Sequence, residues 1–366
     1  MVLPVPCCPC ARRRAAPLRI DPASAARRQA STHRVYQANL ARFVAWCQWL
    51  GAVPNHADEV DELLVEWKNR ALISKSQFAA AVSAVEFVIP WMRGQLQWSK
   101  SVLNDWEISG NIIHHKPMTA MVALLVATSL AYIGYGRLGA GLIIQQRKGL
   151  RPSEMLRLFR DHVAIPTVDM SDAVGAVLNL GIKAGTKAKR PQAVIINPTQ
   201  DSRALQLVTA LCGSTPAGRC LFGNLTLPAY QAALSFVCTL LGIAGYLTHS
   251  PRAGFASDRL LAGEAFTDIK EQGRWMSDSS LRVYLDVVAT MSSHTVGDVA
   301  AWKDEIIQLH VHFTQMFPWW PDAPLQPTME LPPRLRNRLD AALLRSSVPG
   351  IGRTSGRRPA QSPPMT

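Results

Sequence analysis

The chain has no cysteine framework. Its seven cysteines are an odd number with no regular spacing: Cys7, Cys8 and Cys10 crowd the N-terminus, while Cys47, Cys212, Cys220 and Cys238 stand singly among apolar residues. This excludes a disulfide scaffold and points to a reducing, intracellular compartment: the nucleus in a eukaryote, the cytoplasm or nucleoid in a prokaryote. No Cys/His pair near Cys7 and Cys10 completes a zinc site, so no metal centre is expected. A membrane span is lacking too. Residues 117–136 carry no charge, but Thr119, Thr128, Ser129, Gly134 and Gly136 dilute their hydrophobicity, and a buried core helix is the expectation. The Arg-rich N-terminus lacks an apolar signal-peptide core, which leaves a transit peptide, a nuclear signal or a plain disordered arm. Finally, the body lacks net charge. The chain totals +13, but residues 1–34 and 333–366 each hold seven Arg and one Asp, which leaves +1 between them. Any anion site in the body must therefore be a local cluster.

One cluster is visible in the sequence. Lys183, Lys187, Lys189 and Arg190 fall in eight residues without an acid. They separate two strand-like runs, 174–182 and 192–196, so the lysines are expected on a hairpin loop. The rest reads as helix. Residues 1–30 are expected to be a disordered basic arm. Apolar spacing then predicts helices over about 31–50, 60–71, 76–88 and 101–106, a small all-α domain within 31–110. A second domain over 117–317 is expected to hold helices near 118–133, 138–147, 152–160, 201–212, 228–242, 251–262, 266–273 and 279–289. Residues 298–317 read as one more helix, with Val299, Trp302, Ile306, Leu309, Phe313 and Met316 forming an apolar seam. That seam suits either the chain's own core or a neighbouring protomer. Residues 318–366 read as a Pro/Arg-rich tail with a short helix at 333–345.

Two arginines stand at helix starts. In Gly149-Leu150-Arg151-Pro152-Ser153-Glu154, the proline suits a first helical position. In His249-Ser250-Pro251-Arg252, Ser250 suits an N-cap and Arg252 the first turn. Helix N-termini attract anions, and two of them carrying guanidiniums could share one phosphate. Each arginine could equally pair with a local carboxylate, Glu154 or Asp258. Further on, Trp275 lies nine residues before Tyr284.

Together these residues resemble the tyrosine recombinases, the phage-integrase family. The Gly-Leu-Arg-x-Ser-Glu box is matched at 149–154, the hairpin lysine by Lys183, and the His-x-x-Arg box at 249–252. Where the family has Gly-His or Gly-Trp, this chain has Gly273-Arg274-Trp275, with an arginine inserted. The motifs run in order over residues 149–284. The resemblance implies a mainly α fold: a four-helix, SAM-like core-binding domain at 31–110, then an α+β catalytic domain with a small β-sheet at 117–317.

The resemblance also implies a chemistry without metal or nucleotide cofactor. Tyr284 would attack a DNA phosphate, giving a 3′-phosphotyrosyl link and a free 5′-hydroxyl. Arg151 and Arg252 would stabilise the non-bridging oxygens, Lys183 would protonate the leaving oxygen, and His249 would accept a proton near the tyrosine. Trp275 would hydrogen-bond or pack at the phosphate, and Glu154 would support the arginines. Lys187 competes with Lys183 for the catalytic place, and Lys187, Lys189 and Arg190 would contact DNA. The implied function is a site-specific recombinase or integrase of a mobile element, a homo-tetramer on double-stranded DNA, with helix 298–317 as a candidate contact between protomers. A type IB topoisomerase and a DNA-binding derivative without catalysis are the alternatives.

Overall fold

The computed structural model describes residues 30–109, 116–165, 175–181, 192–313 and 331–345. The chain divides into two compact units, Met1–Ile113 and His114–Thr366.

In the first unit, α1 (Ala30–Leu50), α2 (Ala57–Arg70), α3 (Lys75–Val88) and α4 (Gln97–Ser109) enclose one apolar core. Phe43, Cys47, Leu64, Trp67, Phe78, Val85 and Met92 meet there. Ser74 starts α3 through a reciprocal cap: its hydroxyl accepts from the Gln77 N–H, and the Gln77 amide oxygen accepts from the Ser74 N–H. The fourth helix starts earlier than its apolar pattern suggests, because a distant residue caps it. Asp61 of α2 is buried, and its carboxylate accepts the backbone N–H groups of Trp98 (2.7 Å) and Ser99 (2.9 Å). Two orphan donors at a buried helix start are thereby satisfied. Asp61→Ala is expected to cost about 2 kcal/mol, read as a lower midpoint of urea unfolding; an unchanged midpoint would contradict this role.

The second unit is built around α5 (Ala120–Tyr132), the uncharged run. It is buried on nearly every side, and its Thr128 and Ser129 hydroxyls donate to the carbonyls of Leu124 and Leu125, so its polar groups are satisfied inside the core. No described helix is long and apolar enough to cross a membrane. Next come α6 (Gly136–Lys148), α7 (Pro152–Leu156) and a three-stranded antiparallel sheet. Its strands are β1 (Val163–Ala164), β2 (Ala176–Leu180) and β3 (Gln192–Ile196), in that order. Pairing of Ala176 with Ile196 and of Leu180 with Gln192 fixes the hairpin register. Leu178, Leu180, Val194 and Ile196 all point into the core. The rest of the unit is α8 (Ser202–Ser214), α9 (Leu227–Leu241), α10 (Ser250–Leu261), α11 (Phe266–Gly273), α12 (Asp278–Ala301), α13 (Lys303–Val311) and α14 (Pro333–Arg345).

Two expectations need correction. The seam at 298–317 is not one helix. The chain breaks at Trp302, whose indole N–H donates to the Leu241 carbonyl. Trp302, Ile306, Leu309 and Phe313 are buried in this chain's own core, so the described seam is not a free surface for a neighbouring protomer. Met316 lies outside the described residues. The second concerns the C-terminal tail, where the short helix expected at 333–345 is present but packs into the core. Helix α14 places Leu335 and Leu339, with Leu331 before it, in that same core. Its arginines are also used locally. Arg334 stacks over the Trp302 ring at 4.5 Å and donates to the Ala301 carbonyl, and Arg338 donates to the Leu240 carbonyl. The Tyr132 hydroxyl donates to Asp340 at 2.6 Å.

Candidate active site

Three turns of the second unit converge on one guanidinium. Arg252, on the first turn of α10, is 2% exposed. It donates to the carbonyl of Gly149, between α6 and α7, and to that of Gly273 at the end of α11 (2.6 Å). The ring of Trp275 lies against it at 4.2 Å. Phe255 stacks on Trp275 with centroids 6.3 Å apart, and Tyr284 meets the Trp275 ring edge-on at 5.5 Å. Cation, indole and phenol thus form one contiguous group.

The sequence brings these turns together for local reasons. Gly149 ends α6 with φ +56°, a conformation that glycine adopts without strain, and an added Cβ would meet the Phe255 ring at 2.8 Å. Gln145 fixes the approach to α10: its amide N–H donates to the Thr248 carbonyl, and its oxygen accepts from the buried Tyr230 hydroxyl. Gly273 is required by contact rather than by φ, because a Cβ there would stand 1.6 Å from the Trp275 ring. Trp275 is pinned between Arg252 and Phe255, so its ring has no easy retreat. Gly273→Ala is therefore expected to destabilise the protein by about 2 kcal/mol, seen as a fall in Tm; an unchanged Tm would mean the ring moves freely.

The helix starts differ in detail from the expectation. His249, not Ser250, is the N-cap of α10. The Ser250 hydroxyl instead accepts from the Leu247 N–H, and its carbonyl accepts from the Met118 N–H. The His249 carbonyl accepts the N–H groups of Arg252 and Ala253, so His249 is attached to the same turn as Arg252. Arg151 is the N-cap of α7, but α7 has only five residues, too short for a substantial helix dipole. Attraction for an anion at Arg151 thus comes from its own charge.

The two arginines also differ in their partners. Arg151 does pair with Glu154: its guanidinium reaches one carboxylate oxygen at 2.5 Å, and its backbone N–H donates to the other at 2.8 Å. Arg252 pairs with no carboxylate among the described residues. Asp258 accepts instead from the Ala120 N–H and the Gln146 amide. The inserted Arg274 joins the cluster as well, reaching the second Glu154 oxygen at 2.7 Å. Two guanidiniums therefore hold one carboxylate, and with Arg252 beside them the group has three cations to one anion, a local excess of two positive charges. Burial works to raise the Glu154 pKa, but the Arg274 charge, the Arg151 N–H and the Arg151 charge outweigh it and hold the carboxyl below its usual range. Burial pushes the Arg252 pKa down, and the neighbouring Arg151 and Arg274 push it the same way. A buried, mutually repelling set of cations is a site that gains by accepting an anion.

Tyr284 lies on α12, whose start is capped by the Ser277 hydroxyl and tied to α11 by Lys270–Asp278 at 2.6 Å. At the other end of α12, Asp298 is held by Lys116 and by the Tyr246 hydroxyl. The Tyr284 ring packs in the same small cluster as Leu281 and Leu285 and is half-buried. Its hydroxyl makes no hydrogen bond to another described residue, and it interacts electrostatically with Arg252. Trp275, expected to hydrogen-bond or pack at the phosphate, is buried against the Arg252 guanidinium and beside the Tyr284 ring. Lys183, Lys187, Lys189 and Arg190 lie outside the described residues, in the connection between β2 and β3.

Sequence reasoning missed the carbonyl clamp on Arg252 and the contact of Arg274 with Glu154. The only signal for the second was the charge itself, an extra arginine in a box that otherwise holds glycine and an aromatic residue.

No family profile matches the chain, and no curated protein is similar to it in sequence. Solved structures are similar in fold. A XerH site-specific recombinase bound to palindromic difH substrate, in a post-cleavage complex, aligns at TM-score 0.50 with 13% identity, over 74% of this chain and 79% of that one. A XerA recombinase aligns at TM-score 0.35 with 14% identity, over 72% and 90%. The integrase from mycobacterium phage Brujita aligns at 0.33 with 14% identity, over 86% and 93%. At such identity the XerH likeness is one of fold, and the mainly helical chain with its small antiparallel sheet has the fold of the tyrosine recombinases.

Proposed function

We propose that the chain is a DNA strand transferase in which Tyr284 is the nucleophile. The observation that carries this reading is a buried arginine, Arg252, that pairs with no carboxylate among the described residues, set against the indole that also packs on the Tyr284 ring. A phosphodiester supplies the missing anion and the electrophile together. The Tyr284 oxygen bonds to phosphorus as the bond to the 5′-oxygen breaks, leaving a 3′-phosphotyrosyl link. Arg252 and Arg151 hold the non-bridging oxygens, where charge grows in the transition state. His249 accepts the phenolic proton and Lys183 protonates the 5′-oxygen. Because the ester keeps its phosphoryl group, a 5′-hydroxyl from a second strand can reverse the step. That suits site-specific recombination or integration of a mobile element, by a tetramer on two duplexes.

The test uses a pool of nicked duplexes randomised around the nick, with capture of protein–DNA adducts that survive detergent. An adduct supports the reading and its sequence gives the preferred site; absence of any adduct at saturating DNA overturns it in favour of a DNA-binding protein without catalysis. Relaxation of supercoiled plasmids of unrelated sequence would favour the topoisomerase reading. The terminal arginines have a separate expected effect. Removing residues 1–29 and 346–366 takes away nine arginines while sparing α14. Affinity for duplex DNA should fall and its dependence on salt should flatten; an unchanged slope would show that these segments do not touch DNA.

A further inference from the structure

We infer that Arg274 is a charge-balancing residue of the site: it neutralises Glu154, so that the Arg151 guanidinium keeps its charge for the scissile phosphate. This rests on the phosphodiester reading above and extends it to a residue outside the recombinase motifs. Glu154 is shared between two cations. One oxygen takes the Arg151 guanidinium, and the other takes Arg274 and the Arg151 backbone N–H. The side chains of Arg274 and Glu154 are each 7% exposed. With Glu154 alone beside it, Arg151 would be a neutral pair and would offer little to an anion. Arg274 returns the missing positive charge, and its carbonyl, 3.4 Å from the Arg151 guanidinium, helps to aim it.

Two independent features argue that this side chain is retained for a purpose. Arg274 ends α11 in the left-handed region, with φ +59°. Glycine is the usual residue there, and a side chain with a Cβ is strained at that position. Its buried Nε also has no partner among the described residues, whereas a purely structural ion pair is expected to satisfy its donors.

The test compares Arg274→Gly, which relieves the backbone strain, with Arg274→Lys and with the double variant Arg274→Gly/Glu154→Gln. The readouts are the adduct rate on the selected nicked duplex and the rise in Tm caused by inorganic phosphate. Arg274→Gly is expected to slow adduct formation about 100-fold, on the scale of one lost stabilising charge. Removing the carboxylate charge as well restores the excess of two, so the double variant should recover about tenfold. Arg274→Lys should fall between wild type and Arg274→Gly. The phosphate-induced rise in Tm should shrink in Arg274→Gly and return in the double variant. A wild-type rate in Arg274→Gly, or a double variant no better than the single, overturns the inference. If wild type forms no adduct, the phosphodiester reading fails by itself; the phosphate readout then decides the charge claim, and an undiminished rise in Arg274→Gly sinks it. Should Arg274→Gly not fold, Arg274→Lys decides, since a Lys variant as inactive as an empty site contradicts a role based on charge.

Discussion

Replacing Arg252 by lysine is expected to lower the rate of covalent adduct formation by a factor of about 1,000 while the protein remains folded. The side chain has two tasks that separate in this variant. As a charge it would meet the phosphate in the proposed reaction, and lysine keeps that charge. As a planar fork it holds the Gly149 and Gly273 carbonyls at once, with its face on Trp275. Lysine cannot reproduce that geometry. Truncation to alanine is harsher. It opens a cavity and leaves two carbonyls without their donor, at a cost of about 3–5 kcal/mol. A lysine variant that forms adduct at the wild-type rate would show that the carbonyl clamp is irrelevant to chemistry.

Ending the chain after residue 330 should abolish folding of the second unit, whereas ending it after residue 345 should leave Tm unchanged. Leu335 and Leu339 are fully buried, one helical turn apart, and Leu331 adds a third apolar contact. Loss of a buried leucine costs about 2–5 kcal/mol, and two such losses reach the whole stability of an ordinary domain, about 5–15 kcal/mol. Arg334 and Arg338 would also leave the Trp302 ring uncovered. The conservative version is Leu335→Ala with Leu339→Ala in the full chain, measured by chemical denaturation. A truncated protein with cooperative unfolding near the wild-type midpoint would contradict the placement of α14.

This helix shows why composition misleads at chain ends. Residues 333–366 read as an arginine-rich tail because arginine outnumbers every apolar type there except in one short stretch. Within that stretch the spacing from Leu335 to Leu339 is a helical repeat, and Arg334 and Arg338 cover the Trp302 ring and reach the carbonyls of Ala301 and Leu240. A charge count alone does not show these local contacts. The opposite case is α5, where the lack of charge and the helical length sufficed, because a helix apolar all round belongs in a core. The β2–β3 hairpin was legible for a similar reason, since alternation with a period of two survives without knowledge of the partner strand. Strand β1 was not, because two residues carry no period.

The site was legible in its residue types but not in its wiring. Arg151, Arg252, Trp275 and Tyr284 were each visible from local motifs. The shared carboxylate was not, because Glu154 meets Arg274 across 120 positions. Neither was the clamp on Arg252, made by backbone carbonyls that any residue possesses. The packing of Trp275 against the Arg252 guanidinium was not foreseen either. A side chain flanked by a glycine that cannot accept a Cβ is tightly packed, and its burial follows from that contact rather than from its own identity.

The most direct measurement is to find the atom that carries the DNA. Adduct formed on the selected nicked duplex is digested with trypsin, and the modified peptide is identified by mass spectrometry. Cleavage after Arg282 and Lys303 releases residues 283–303, in which Tyr284 is the only tyrosine. The account predicts a nucleotide mass on that peptide, localised to Tyr284, and no adduct from Tyr284→Phe. A nucleotide on any other residue, or an undiminished adduct from Tyr284→Phe, would contradict it.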